Sequence, residues 1–386
     1  MSTSKCVLNI NLDTIERNYN ILRQICGNSE VGAAVKANCY GLGADKIAPM
    51  LQKAGCQHFF VANCDEGVTL RQTLGQIPYI YVLNGVFTGE LSVFKEYNLV
   101  PVLNYLEQLI TWQNFAQLLG KKLPCLIHVD TGMHRLGMSE REFDQVVSFN
   151  IKELDILYVM SHLASAEEPE NPYNENQLNK FTKIAGKVPK IKRSLANSSG
   201  IFLGKGYHFD LVRPGAALYG INPTPSRPEA VTENPVSLFA PIIQIHELGP
   251  NESAGYNSTY INNTNVSCQI ATIPIGYADG VDRHLSNKGV MYINGIKAPI
   301  IGRVSMDLTI IDLSLIPQKD IFLGQQVEVM GPNNKLDDIA KLADTNGYEI
   351  LTKLGYRFEK IYTYIVTNHL NPHYVSNYST NRQQSY

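Results

Sequence analysis

Charge is sparse and balanced in this 386-residue chain: 33 Lys and Arg face 35 Asp and Glu, a net −2. No run of basic residues builds a patch, so a nucleic-acid partner and an anionic membrane surface are not expected. No apolar stretch approaches the ~20 residues that a membrane helix needs. The first 13 residues hold no apolar core of a secretory signal, which favours a cytoplasmic protein. The seven cysteines (6, 26, 39, 56, 64, 125 and 268) are odd in number, scattered and mostly set in apolar segments. They read as reduced core thiols rather than as a disulfide framework. No Cys/His spacing suggests zinc, and no metal is expected. No G-x-G-x-x-G follows the first strand, which removes the fingerprint of a dinucleotide fold.

What is present is a globular core with a regular beat. Apolar residues make up 44% of the chain, and its length suits a large barrel plus a smaller domain. A strand-like run at 7–10 precedes a helix at 14–23 that Asp13 can cap. Eight strands then follow, at 31–36, 59–62, 79–83, 99–103, 125–129, 156–160, 191–196 and 209–212. Helices alternate with them, one opening at Ser139 with Glu142 placed for a capping box. Eight strand–helix units over about 220 residues match a (β/α)8 barrel better than an open doubly wound sheet. Residues 222–235 are rich in Pro, Asn, Thr and Glu and read as a linker. Beyond them the pattern turns to β-branched strands, at 239–248, 268–275, 290–293, 298–301, 308–313 and 326–330. Asn294-Gly295 marks a hairpin, and one helix lies at 336–343. The expected fold is thus α/β plus mostly-β. A TIM-type barrel spans 1–235, with the first dozen or so residues free to pair with the second domain. A β domain spans 236–370, and a polar tail spans 371–386.

In such barrels, reactive residues gather at the C-terminal ends of the strands. Lys36 ends the first strand, where a buried ammonium must reach water, find a partner or react. A desolvated lysine amine attacks aldehydes, which is what Schiff-base chemistry with pyridoxal phosphate requires. Arg135 follows strand five, His162 strand six, Asn197 and Ser198 strand seven, and Arg213, Gly215 and Ala216 strand eight. Ser198 and Gly215-Ala216 stand at helix starts, where a hydroxyl and backbone N–H groups make an anion site. Each residue alone has an ordinary structural explanation: a core histidine, a helix cap, a surface ion pair. Their convergence on one rim is what points to a site.

Eight segments carry a resemblance over nearly the whole chain. They are AVKANCYGLG (34–43), VDTGMHRLG (129–137), SHLA (161–164), ANS (196–198) and RPGAALYG (213–220). In the second domain they are GY (255–256), GYADG (276–280) and GRVSMD (302–307), with the linker and barrel order around them. The sequence resembles the alanine racemases, pyridoxal phosphate enzymes built from a barrel and a β domain. The lysine segment is shared with other barrel proteins that bind this cofactor, whereas the last three segments are more specific. The resemblance implies that Lys36 binds the cofactor covalently and, once freed by substrate, transfers protons on one face of Cα. Tyr256, reaching in from the second subunit of a head-to-tail homodimer, serves the other face. Tyr40, Ser198, Gly215, Ala216 and Tyr348 would hold the phosphate, with Asn197 beside them. His162 would pack on the pyridine ring and Arg213 would face its nitrogen. Arg135 and the Met306 backbone would orient the substrate carboxylate, with Tyr277 and Asp307 at the entrance. The implied substrate is a small amino acid, and the product D-alanine would supply peptidoglycan.

The chemistry of these choices is coherent. Two bases on opposite faces racemise without moving the substrate. A tyrosine, protonated up to pH ~10, acts as a base near neutrality only if a nearby cation such as Arg135, or the substrate itself, lowers its pKa. A guanidinium does not readily give up its proton, so Arg213 leaves the ring a weak electron sink and favours prompt reprotonation at Cα. That separates a racemase from a decarboxylase, which places a carboxylate there. A racemase for serine or a wider range of amino acids is the near alternative. A cofactor-binding protein without catalysis, typically a lone barrel, is the distant one. Three positions depart from the family pattern. His128 replaces a lysine that is often carbamylated and pairs with the arginine at 135, so Arg135 would be held by another anion such as chloride, or be more mobile. Ser194 replaces a histidine that often supports the arginine at 213. His134 replaces a frequent glycine.

Overall fold

The computed structural model describes residues 5–148, 153–226 and 231–364. The polar tail, expected from 371, lies outside the described residues. The chain begins in what the sequence marks as the second domain. Strand Val7–Asn11 pairs antiparallel with Val236–Pro241 and parallel with Glu359–Thr363. It thereby joins a nine-stranded sheet otherwise built from the C-terminal third. Helix Leu12–Cys26 then carries the chain to the barrel. Its N-cap is Asn11, whose side chain accepts from Thr14 N at 3.0 Å; Asp13, expected as the cap, lies inside the first turn. An acidic residue suits either place, because four free N–H groups and the positive end of the dipole face it.

The barrel strands are Ala33–Ala34, His58–Val61, Tyr79–Val82, Val100–Leu103, Leu123–His128, Leu154–Met160 and Lys192–Ser194, all parallel and in chain order. Leu211–Val212 is the eighth. It bonds to the seventh through Asp210 N to Arg193 O and Arg213 N to Ala196 O. It closes the ring by pairing with Glu30–Val31. The first strand, expected to run unbroken over 31–36, is split at Gly32 and ends before Lys36. A side chain at Gly32 would press on the carbonyl of His58 and the ring of Phe60, so the strands approach there as only glycine allows. The eighth strand starts at Leu211 rather than 209 because Phe209 is left-handed (φ 50°). Phe60, Tyr81, Val100, Val102, Leu126, Tyr158, Met160 and Leu211 form a cluster of their own, drawn from six strands. These are the inward side chains that make a small barrel a packed core. The Ser139–Glu142 capping box is present in both directions, at 2.8 and 3.2 Å.

In the β domain the single strand expected over 239–248 is two, Val236–Pro241 and Gln244–Leu248. The hairpin turn forms as expected, with Asn294 (φ 49°) and Gly295 (φ 80°) joining Ile293 to its partner Ile296. Of the segment read as a linker, the described end is fastened. Asn18 exchanges hydrogen bonds with Glu233, and Asn11 N donates to Pro235 O. A helix not expected from sequence, Gly347–Thr352, packs on the barrel rim beside residues 36–41.

Candidate active site

A cavity of ≈ 640 Å3 opens at the C-terminal ends of the barrel strands. Ten of the expected site residues line it: Lys36, Tyr40, Arg135, His162, Asn197, Ser198, Arg213, Gly215, Ala216 and Tyr348. Lys36 leaves the first strand into an unusual turn. Ala37, Asn38, Cys39 and Tyr40 are all left-handed, with φ between 50 and 56°. Each such residue costs about 1–2 kcal/mol relative to the right-handed form, so the turn persists only because its surroundings hold it. Cys39 N donates to Val35 O, Gly41 N to Ala37 O and Gly43 N to Asn38 O. From the far end of the chain, Lys360 donates to Gly41 O and Tyr362 to Leu42 O. Burial lowers the Lys36 pKa, the nearby Arg135 lowers it further, and the Glu66 carboxylate opposes both. The result is an amine poised toward its nucleophilic form.

The same cavity gathers hydroxyls and chain turns. Asn197 caps helix Ser198–Ile201 by accepting from Gly200 N. Ser198 Oγ accepts from Gly215 N at 2.9 Å and Ala217 N at 3.1 Å, locking two helix starts together. A side chain at Gly215 would run into the Tyr40 hydroxyl, so this glycine is required by close approach. Tyr40 packs on Tyr219 (ring centroids 4.8 Å apart) and lies 6.2 Å from Tyr348. Tyr348 comes from the β domain of the same chain and donates to Glu167 at 3.0 Å. Arg213, buried, lines the same cavity. Its guanidinium donates to Ser194 Oγ (2.5 Å), Ser161 O (2.6 Å) and Leu195 O (3.3 Å), and it lies over the Phe60 ring. Burial pulls its pKa down to about 10, which leaves it charged at neutrality. His162 is held well below its usual pKa, first by burial and then by Arg213 and Arg135, so it presents a neutral ring.

Four expected residues lie elsewhere. Tyr256, Tyr277 and Met306 line a separate ≈ 880 Å3 cavity on the β domain. Asp307 bonds Arg357 at 2.7 Å, and Arg357 also clamps Asp279. Tyr256 is 67% exposed and Met306 54%. Sequence reasoning missed Phe60, Asn84, Glu167 and Thr352 among the lining residues. Phe60 sits in the unbroken apolar run 59–61, which carries no alternation to say which ring faces inward. Glu167 sits in the polar loop after strand six, where the pattern is silent.

Comparison with known proteins gives this architecture its family. The alanine racemase N-terminal domain model matches residues 10–223, and the C-terminal domain model matches residues 235–362. A curated alanine racemase of Rickettsia canadensis is 50% identical over 362 residues, covering 93% of this chain and 99% of its own. The chain belongs to the alanine racemase family. The crystal structure of alanine racemase from Bartonella henselae with covalently bound pyridoxal phosphate superposes with a TM-score of 0.89 at 38% identity. The match covers 94% of this chain and all of that one. The biosynthetic alanine racemase of Pseudomonas aeruginosa superposes at 0.86 with 30% identity, covering 94% and 100%.

Against the alanine racemase pattern, the three departures take on specific geometry. Ser194 supports Arg213 itself: its hydroxyl accepts from the guanidinium and donates to Leu211 O at 2.6 Å. His134 turns away from the cavity to Asp130 (2.9 Å), which also accepts from the Gly132 and His134 amides. His128 lines the cavity with its Nδ1 at 2.8 Å from Asn104 Oδ1. The Asn104 amide nitrogen donates to Leu83 O and Val102 O, which fixes the amide. Nδ1 of His128 therefore carries the proton and Nε2 is an acceptor. Burial, then Arg213 and Arg135, hold its pKa down at about 3, so it offers Arg135 no counter-charge and none of its own. Among the described residues no three His, Cys, Asp or Glu are arranged to hold a metal. All seven cysteines are free, six of them buried.

Proposed function

We propose that this protein is a pyridoxal phosphate-dependent alanine racemase that interconverts L- and D-alanine. The observation that carries the reading is the buried Arg213, held by a hydroxyl and two carbonyls with no carboxylate among them, in the same cavity as the Lys36 amine. The cavity fits the cofactor on chemistry. It offers an amine of lowered pKa for an aldehyde, and three hydroxyls and two helix starts for a phosphate. Lys36 would hold the cofactor, with Tyr40, Ser198, Gly215, Ala216 and Tyr348 at the phosphate and Asn197 fixing the Ser198 turn. When bound, the cofactor acidifies the substrate's Cα proton by delocalising negative charge. Arg213 limits that delocalisation because it keeps its own proton. His162, neutral and desolvated, packs as an apolar wall.

Lys36 would move a proton on one face of Cα. Tyr256 of a second copy moves it on the other. Arg135 faces the substrate carboxylate, and with His128 neutral that carboxylate is its counter-charge. Tyr256, Tyr277 and Met306 are exposed and grouped, as residues completing a partner's site would be, with Asp307 tied nearby to Arg357. A head-to-tail homodimer satisfies both demands, because each interface then completes a site. A cytoplasmic role in supplying D-alanine to peptidoglycan follows from this activity. No helix among the described residues is long and apolar enough to cross a membrane. The test is direct. Purified protein loaded with pyridoxal phosphate should convert L-alanine to D-alanine with no energy source. Serine and other amino acids set its range, and release of CO2 would give the site to a decarboxylase.

A further inference from the structure

The left-handed turn after Lys36 is held from a direction that the proposed mechanism does not use. Glu66 is the third residue of helix Cys64–Leu74, whose N-cap Asn63 accepts from Glu66 N. An acidic residue at that place commonly folds back onto the cap's own N–H. Here it does not. One carboxylate oxygen accepts from Ala62 N at 2.7 Å, at the end of the second barrel strand. The other accepts from Ala37 N at 2.8 Å, the residue after Lys36 and the first of the left-handed run. A single anion thus ties the rim of strand two to the base of the turn that aims the lysine.

We infer that Glu66 is a positioning residue for Lys36: its carboxylate fixes the left-handed turn and sets a negative charge at the base of that turn, on the amide next to Lys36. The anchoring follows from two short hydrogen bonds to one carboxylate, and the charge from that carboxylate's seat on the amide next to Lys36. Hydrogen bonds to an ionised acceptor are stronger than neutral ones, and a left-handed run of four non-glycine residues needs such support. The groups that act on the Lys36 amine are Arg135 and Glu66, with a neutral His162 lining the same cavity. Glu66 is the anion among them, so it opposes Arg135. The glutamate keeps the lysine from being neutralised by Arg135 alone and holds its nitrogen on a fixed path.

Glu66→Gln separates the two halves from a general loss of structure. Glutamine keeps the shape, but its NH2 must face one of the two N–H donors. Hydrogen exchange on the full chain should rise on the order of 10-fold or more at Ala37 or Ala62, and with it at Cys39, Gly41 and Gly43. Unchanged exchange at all five would overturn the anchoring. Ala37→Gly lowers the cost of a left-handed residue, so adding it to Glu66→Gln should restore part of the protection in the turn. Should Glu66→Gln fail to fold, Ala37→Gly alone must slow exchange at Cys39, Gly41 and Gly43; equal or faster exchange sinks the idea. The charge half rests on reading Lys36 as the cofactor lysine. Uptake of pyridoxal phosphate by the cofactor-stripped full chain, followed by visible absorbance, needs the free amine and so climbs with pH. In Glu66→Gln this climb should move to lower pH. No movement, or movement upward, overturns that half. Wild-type protein that takes up no cofactor would refute the lysine reading instead, and the exchange result would stand apart from it.

Discussion

His128 makes the stability of the barrel depend on pH in a way that can be calculated. In the unfolded chain it titrates near its ordinary 6.5, whereas in the fold burial and two arginines hold it at about 3. Between those values the unfolded state binds a proton that the folded state refuses. Stability is therefore fully present above pH 6.5 and falls as the pH drops toward 3. Linkage between the two values gives a loss of about 2 kcal/mol from this one residue on going from pH 7.5 to 5. His128→Asn places an amide nitrogen where Nδ1 stands, keeps the bond to Asn104 and removes the titration. Urea unfolding reports on the barrel through the single tryptophan, Trp112, which is buried there. The wild type should lose about 2 kcal/mol more than His128→Asn over that pH interval. His162 also resists protonation, but it is present in both proteins and cancels. If the two proteins lose stability in parallel, within about 0.5 kcal/mol, His128 is not buried as a neutral ring and the tautomer assigned to it is wrong.

Ser194→Ala should destabilise the barrel by roughly 1.5–3 kcal/mol, because it strips one acceptor from a buried guanidinium; the same urea titration would show no change if Arg213 did not depend on it. Lys36→Ala should abolish the visible absorption of the loaded protein, and an unaltered spectrum would refute the cofactor assignment. Tyr256→Phe should slow deuterium exchange at Cα mainly from one enantiomer of alanine. Equal slowing from both would count against two opposed bases.

Much of the fold was legible because the barrel repeats a local pattern. Most strands are short apolar runs followed by a helical stretch, so eight units could be counted without tertiary information. The rim positions followed from that count, since residues just after each strand share one end of a barrel. Boundaries were less legible where backbone geometry overrides propensity. Gly32 splits the first strand through a close approach to His58, and Phe209 delays the eighth through its left-handed conformation. The β domain was harder, because strand pairing is non-local. The first dozen or so residues are expected to be free to pair with the second domain, but their pattern does not say that 7–10 sit between 236–239 and 359–362.

Lys36, Arg213 and the residues after each barrel strand were set by sequence, since their spacing along the repeat alone puts them on one rim. Their chemical states were not. The neutral ring of His128 depends on burial and on two arginines, Arg135 nearby and Arg213 far along the chain. The hold on Arg213 depends on a serine 19 residues before it and a carbonyl 52 before it. The aim of Lys36 depends on Glu66, 30 positions along the chain, by way of the Ala37 amide 29 residues from it. Sequence determines which groups a rim holds because periodicity is local. Charge, tautomer and direction come from what each group meets across the cavity, and only the closed barrel brings those groups together.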